Sequence, residues 1–276
     1  MTTSQIAVFS GTGTTGRRVV ERLEALGIRP RSGSRSGTPR FDWADASTWP
    51  AALEGVRAAY LAYHPDMAAP GAAEAIGTLS AIAADAGVER LVLLSGRGEE
   101  DGWPTEQAVR DSGAAWTILR SSWFSQNFSE SFMIDPILAG EVVLPTGAVT
   151  EPFVDADDLA DAAVAALLRP GHESRTYELT GPRLLTFGDA VDEIARASGR
   201  SIAFVPVTTE EFAAGLAEQA VPAELVDFLT HLFTKVLDGR NSHLTGDLEE
   251  ILDRPPRDFH DYAISTAATG VWRVER

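Results

Sequence analysis

Residues 5–16 read Gln5-Ile6-Ala7-Val8-Phe9-Ser10-Gly11-Thr12-Gly13-Thr14-Thr15-Gly16, an apolar run emptied into three glycines at G-x-G-x-x-G spacing. The run has the length of a short buried strand ending at Phe9. Gly11 then permits a tight turn, Gly13 lets backbone approach a pyrophosphate, and Gly16 lets the next helix pack close. Val19, Val20, Leu23 and Leu26 recur at helical spacing over residues 17–26, and Gly27 stops that helix. Its free N–H groups and positive dipole end would face bound phosphates, with Thr12, Thr14 and Thr15 completing the cradle. Three glycines among 24 also fit an ordinary loop. The strand before them and the helix after them are what argue for a dinucleotide fold.

The whole composition narrows the classes. The chain has 276 residues, 44% of them hydrophobic, enough for one large domain or a core with a smaller lobe. A formal net charge of -17 argues against nucleic acid as a partner, because phosphate neutralisation needs a basic face. An anionic cofactor must then rely on local donors. With no cysteine, disulfides, thiolate ligands and thiol nucleophiles are all excluded. The chain opens with no basic segment leading into a long apolar run, and no stretch approaches the ~20 apolar residues that span a bilayer. The expectation is a cytoplasmic protein without a membrane partner.

About twenty residues beyond the cradle, where a second strand should end, the chain reads Ser32-Gly33-Ser34-Arg35-Ser36. An NAD site usually places Asp or Glu here for the ribose 2'-hydroxyl. This segment holds no acid. Arg35 can form charge-assisted bonds to a 2'-phosphate, with Ser34 and Ser36 beside it and Arg17 or Arg31 helping, so the expected cofactor is NADP(H). The alternative is a solvated basic loop. Asp42 is a candidate adenine contact or a turn former. In open parallel sheets ligands sit beyond the carboxyl ends of strands, which puts Tyr63 and His64, after the strand predicted over residues 56–63, near the cofactor. Tyr63 would wall the nicotinamide and His64 would donate a proton. The apolar run at residues 90–94 ends in Ser95, whose hydroxyl is predicted to face the same cleft. Tyr63, His64, Ser95 and Asn127 are the candidates for the catalytic position.

Several separate stretches carry a family resemblance. They are residues 11–16, the Ser34-Arg35 strand end, Trp116-Thr117-Ile118-Leu119-Arg120 with Trp123, Phe124 and Asn127, and Pro152-Phe153-Val154-Asp155-Ala156-Asp157-Asp158-Leu159-Ala160. A weaker match covers residues 247–259. The chain resembles the NmrA-like group of atypical short-chain dehydrogenases/reductases, which includes quinone and triphenylmethane-dye reductases and redox-sensing regulators. The resemblance implies an α/β fold, a Rossmann-type doubly wound parallel sheet with a smaller C-terminal α/β substrate lobe. The expected division is an NADP-binding domain over residues 1–150, with residues 151–276 completing the core and forming the lobe. Better-known relatives in the wider dehydrogenase group use Tyr-x-x-x-Lys to move a proton. Here the only lysine is Lys235, and His231 stands four residues before it. The catalytic acid is therefore unassigned.

The aromatic stretch after residue 121 is expected to border substrate through Trp123, Phe124, Asn127 and Phe128, although Phe124, Phe128 and Phe132 also fall at core-helix spacing. Asp155, Asp157 and Asp158 are expected to cap a helix at residues 159–168 and not to bind metal. The function that follows is NADPH-dependent hydride transfer to a small or medium aromatic or carbonyl, quinone- or enone-like compound. Two alternatives stand beside it: a redox sensor that binds NADP without turnover, and a non-redox enzyme with structural NADP. A homodimer is left open.

Overall fold

The computed structural model describes residues 6–274. Gln5, which opens the predicted first strand, lies outside the described residues. The chain runs β1 (Ile6–Phe9), α1 (Thr14–Ala25), β2 (Arg31–Gly33), α2 (Trp49–Leu53), β3 (Ala58–Leu61), α3 (Ala72–Asp85), β4 (Arg90–Gly96), α4 (Trp103–Arg110) and β5 (Ala115–Ser121). There follow α5 (Asn127–Glu130), α6 (Ile134–Ala139), β6 (Glu141–Leu144), β7 (Thr150–Glu151), α7 (Ala156–Leu168) and β8 (Arg175–Leu179). The last elements are β9 (Leu185–Thr186), α8 (Phe187–Ser198), β10 (Ala203–Pro206), α9 (Thr209–Glu218), α10 (Ala223–His231), α11 (Asp247–Leu252) and α12 (Phe259–Thr269).

These elements form two compact units. The first gathers the described part of Met1–Ser121 with Ala156–Leu179 and Gly246–Arg254; the second gathers Ser122–Asp155, Thr180–Thr245 and the described part of Pro255–Arg276. Residues 122–150, placed in the first domain from sequence, thus cluster with the second unit, and the chain returns to the first to add α7, β8 and α11.

In the first unit six strands pair in the order β2-β1-β3-β4-β5-β8, and every pairing is parallel. β1 and β3 are buried along their whole length, as strands covered on both faces must be. Alternation assigns the faces. Phe9, Leu61, Leu91 and Leu93 share one core with Leu53, Ile76 and Leu79 of α2 and α3. Tyr60 points the other way, and its buried hydroxyl donates to Thr15 Oγ1 of α1 at 2.9 Å. Helices therefore cover both faces, the doubly wound arrangement expected from the alternation of strands and helices.

α1 and α7 are latched by charge. Arg22 pairs with Asp157 (2.8 Å) and with Asp161, while Arg254 bonds to Asp158 and Asp161 at 2.6 Å each. Asp157 and Asp158 were expected as caps, but α7 begins at Ala156 and already contains both. Their carboxylates are held by arginines, and Asp158 is fully buried. Asp155 accepts from Gln126 Nε2 at 2.9 Å in the second unit.

The second unit carries two small sheets, parallel β6–β10 and antiparallel β7–β9. β7 ends at Glu151, since Pro152 has no N–H for a ladder, and Val154 pairs alone with Phe124. α8 opens with a reciprocal cap between Thr186 and Asp189 and closes on Gly199 at φ 66°. The core is aromatic: Phe128, Phe153, Phe187, Phe233, Phe259, Tyr262 and Trp272 are all buried in one cluster. Beside it, Arg183 bridges Glu193 and Asp258 at 2.7 Å each.

Candidate cofactor and active site

The rim of the sheet is shaped at Ser10, which ends β1 in the left-handed region at φ 59°. A serine pays a steric cost there, and the surroundings hold it in place. Its hydroxyl donates to the Ala62 carbonyl (2.6 Å) and accepts from Trp43 Nε1 (3.1 Å), tying the ends of β1 and β3 to the loop after β2. The turned Ser10 carbonyl accepts the Gly13 N–H at 2.9 Å.

Each glycine of the triplet answers to that geometry. A Cβ on Gly16 would lie 2.2 Å from the Ser10 carbonyl oxygen, and one on Gly11 would lie 2.3 Å from Ser32 Oγ. Neither position admits a side chain without movement. At Gly13 a Cβ would reach 3.3 Å from the same carbonyl, while its other side is exposed at the start of α1, where no side chain caps the helix. The first N–H groups of a twelve-residue helix thus open onto a surface cleared of side chains. This is a cradle suited to a pyrophosphate. Thr12 is exposed on its lip, Thr14 is half-buried, and Thr15 is buried against Tyr60. Burial pushes the Tyr60 phenol pKa upward, so it serves as a neutral anchor.

Beyond β2 the chain makes a tight turn over Ser34–Gly37, closed by the Gly37 N–H on the Ser34 carbonyl at 3.1 Å. Arg35 and Ser36 are its central residues and both are exposed; Arg35 makes no hydrogen bond or ion pair with any described residue. Arg31, expected to assist, is committed elsewhere: its guanidinium donates to the Ala52 and Glu54 carbonyls at 2.8 Å, closing the end of α2. Asp42 also has partners. It bonds to Arg40 (2.8 Å) and accepts the Ala44 N–H (3.1 Å), so its carboxylate shapes the turn that sets Trp43 against Tyr63, with ring centroids 4.9 Å apart. Tyr63 is half-buried and His64 exposed.

Ser95 departs from expectation. It is buried, and its hydroxyl donates to Glu106 at 2.7 Å instead of facing a cleft. Glu106 is fully buried and takes Arg110 and Arg120 at 2.8 Å each. Burial alone would raise its pKa, but the hydrogen bonds from Arg120 and Ser95 and the Arg120 charge hold it below the usual carboxylate range. The spacing of Glu106 and Arg110, four residues apart, was the one sequence signal for this network.

In the second unit Trp123 is half-buried, stacked on Phe233 (5.3 Å, 26°) and edge-on to Phe187 (5.3 Å, 86°). Phe132 is 38% exposed against the same Phe233. Phe124 is half-buried, and the half-buried Asn127 carboxamide has no hydrogen-bond partner among the described residues. Phe128, expected to border substrate, is fully buried among Phe153, Phe187 and Phe259 and belongs to the core.

No protein-family model matches the chain. Agroclavine dehydrogenase of Claviceps fusiformis is 30% identical over 280 residues, covering 93% of this chain and 95% of that protein. The chain belongs to the NmrA-like atypical short-chain dehydrogenases/reductases. The fold agrees with solved structures. The triphenylmethane reductase of a Citrobacter species, complexed with NADP(H), superposes with a TM-score of 0.77 at 21% identity, covering 95% of this chain and 99% of that one. An NADPH-dependent quinone oxidoreductase of Escherichia coli, complexed with NADPH, gives 0.78 at 22% identity over 94% and 98% of the two chains. This NmrA-like protein is an NAD(P)-dependent oxidoreductase acting with a nicotinamide cofactor. Among the described residues no helix is long and apolar enough to cross a membrane.

Proposed function

We propose that the protein is an NADPH-dependent reductase of small or medium aromatic or carbonyl compounds, quinones and enones among them. The observation that carries the cofactor preference is Arg35, exposed at a turn corner where an NAD site would hold an acid. Its free guanidinium and the Ser34 and Ser36 hydroxyls match a 2'-phosphate in charge and donor number. Gly11, Gly13 and Gly16 with the start of α1 would hold the pyrophosphate, and Trp43 and Tyr63 offer ring faces at the same sheet rim. Bound there, the cofactor supplies a hydride. Trp123, Phe124 and Asn127 are the proposed substrate contacts, two aromatic faces and one unpaired carboxamide. The agroclavine, dye and quinone enzymes found as relatives or fold neighbours support an aromatic or carbonyl acceptor.

The test is a fluorescence titration with NADPH and NADH, followed by NADPH oxidation with a panel of quinones, enones and dye cations. Arg35→Ala should remove charge-assisted hydrogen bonds worth about 1.5–3 kcal/mol, weakening NADPH about ten- to a hundredfold while leaving NADH unchanged. Equal affinity for the two cofactors in the unaltered protein would end the role given to Arg35.

A further inference from the structure

Reduction of a carbonyl or quinone needs a proton as well as a hydride, and neither Ser95 nor the residue pair used by the wider dehydrogenase group is placed to give it. Ser95 donates its hydroxyl to Glu106, and no Tyr-x-x-x-Lys is present. The strand order shows where to look. The glycine cradle lies at the end of β1 and the 2'-phosphate turn at the end of β2. A dinucleotide held by the cradle and this turn would carry its nicotinamide half the other way, toward the ends of β3 and β4.

At the end of β4 the missing side chain of Gly96 is replaced by a carboxyl group. A Cβ built on Gly96 would lie 2.0 Å from Glu99 Oε2 and 2.3 Å from Glu99 Cδ, so the carboxyl fills the side-chain space of the last residue of the strand. Met67 closes the neighbouring space: a Cβ on Gly102 would fall 2.0 Å from its sulfur, and Ser95 Oγ is 3.8 Å from the same atom. The Glu99 carboxyl accepts no hydrogen bond and meets no cation among the described residues. Arg97, two residues before it, is turned to Glu178 at 3.1 Å. The charged groups that do face Glu99 are Asp66, from the loop after β3, and Asp101, both acids. Burial, then the charges of Asp66 and Asp101, push the Glu99 pKa up to about 8.

We infer that Glu99 is the proton donor of the reductase, giving its carboxyl proton to the heteroatom of a carbonyl or quinone substrate. The inference rests on the NADPH-dependent reading proposed above. The substrate carbon, or the ring of a quinone, gains two electrons and a hydrogen as hydride from the dihydronicotinamide, which is oxidised. The substrate oxygen forms an O–H bond as the Glu99 O–H bond breaks. The carboxylate left behind takes a proton from water before the next turnover. Glu106 of α4 joins Ser95 of β4 to Arg120 of β5 as support, and Gly96 is a positioning residue that makes room for the acid.

The chemistry supplies its own control, because a triarylmethane cation becomes neutral on accepting hydride and needs no proton. Glu99→Gln keeps the size and removes the acid. In single-turnover NADPH oxidation it should slow quinone reduction on the order of 10²-fold, the span of general acid catalysis, and leave the rate with the dye cation unchanged. In the unaltered protein quinone reduction should fall as pH rises through about 8, while dye reduction stays flat. Gly96→Ala pushes only the far end of a flexible side chain, and should reproduce the selective loss by displacing the carboxyl. A second readout needs no turnover: the infrared band of a protonated carboxylic acid should persist at neutral pH and vanish in Glu99→Gln. Equal loss with both acceptors, an unchanged quinone rate, or absence of that band at neutral pH would each overturn the assignment. Failure of the reductase reading looks different, with NADPH left unoxidised by every acceptor in the unaltered protein, and it would remove the assignment as well.

Discussion

In the first unit the polypeptide builds its candidate site by leaving side chains out, at Gly11, Gly13, Gly16 and Gly96. In the second it gathers rings, bringing Trp123, Phe132, Phe187 and Phe233 together from three segments. An anionic cofactor is bound by backbone N–H groups, so its site needs bare backbone and a helix start. An apolar substrate is bound by surface, so its site needs side chains held by a core beneath them. The two kinds of site should fail differently when altered.

The largest effect should come from the aromatic core. Phe128→Ala empties a fully buried position and should cost about 3–5 kcal/mol of stability, read as a lowered melting temperature, with NADPH affinity kept below the transition. An equal fall in cofactor affinity would break the comparison. Next is the buried carboxylate of the first unit. Because the folded Glu106 pKa is depressed, the stability it brings is complete above its ordinary value of 4.5 and is lost as pH falls through the lower folded value. Glu106→Gln should lower stability by about 1.5–3 kcal/mol at neutral pH, and its acid unfolding curve should lack that loss.

Gly16→Ala sharpens the contrast from the other side. One methyl pressed on the Ser10 carbonyl should cost about 1–3 kcal/mol, read by titration as NADPH affinity about five- to a hundredfold weaker. The smallest effect belongs to Trp123→Ala, which removes a half-buried ring. KM for an aromatic acceptor should rise about two- to tenfold, matching the ~0.5–1.5 kcal/mol of an aromatic pair, with kcat unchanged. A fall in kcat would move Trp123 from binding to positioning.

Much of the first unit was legible because its signals are local. The buried run ending at Phe9, the glycine spacing and the acid-free Ser34-Arg35-Ser36 segment each lie within a few residues. Backbone geometry alone converts them into strand, cradle and turn. Side-chain roles at the same rim were not legible. Asp42, Arg31 and Ser95 looked like ligand groups in sequence, yet each found a protein partner first, Arg40, the end of α2 and Glu106 respectively. Phe128 shows the same limit, since aromatic spacing reads alike for a core face and a pocket wall.

The sequence by itself determined the parallel strand and helix order and the glycine cradle, because periodicity and missing side chains act over one or two turns of chain. Only the tertiary structure decided that residues 122–150 join the second unit, that Ser95 is spent on Glu106, and that Glu99 lies on Gly96 facing two acids. Those outcomes depend on which polar groups meet after distant segments pack. A buried carboxyl is paired or left unpaired by neighbours that its own stretch of sequence does not contain.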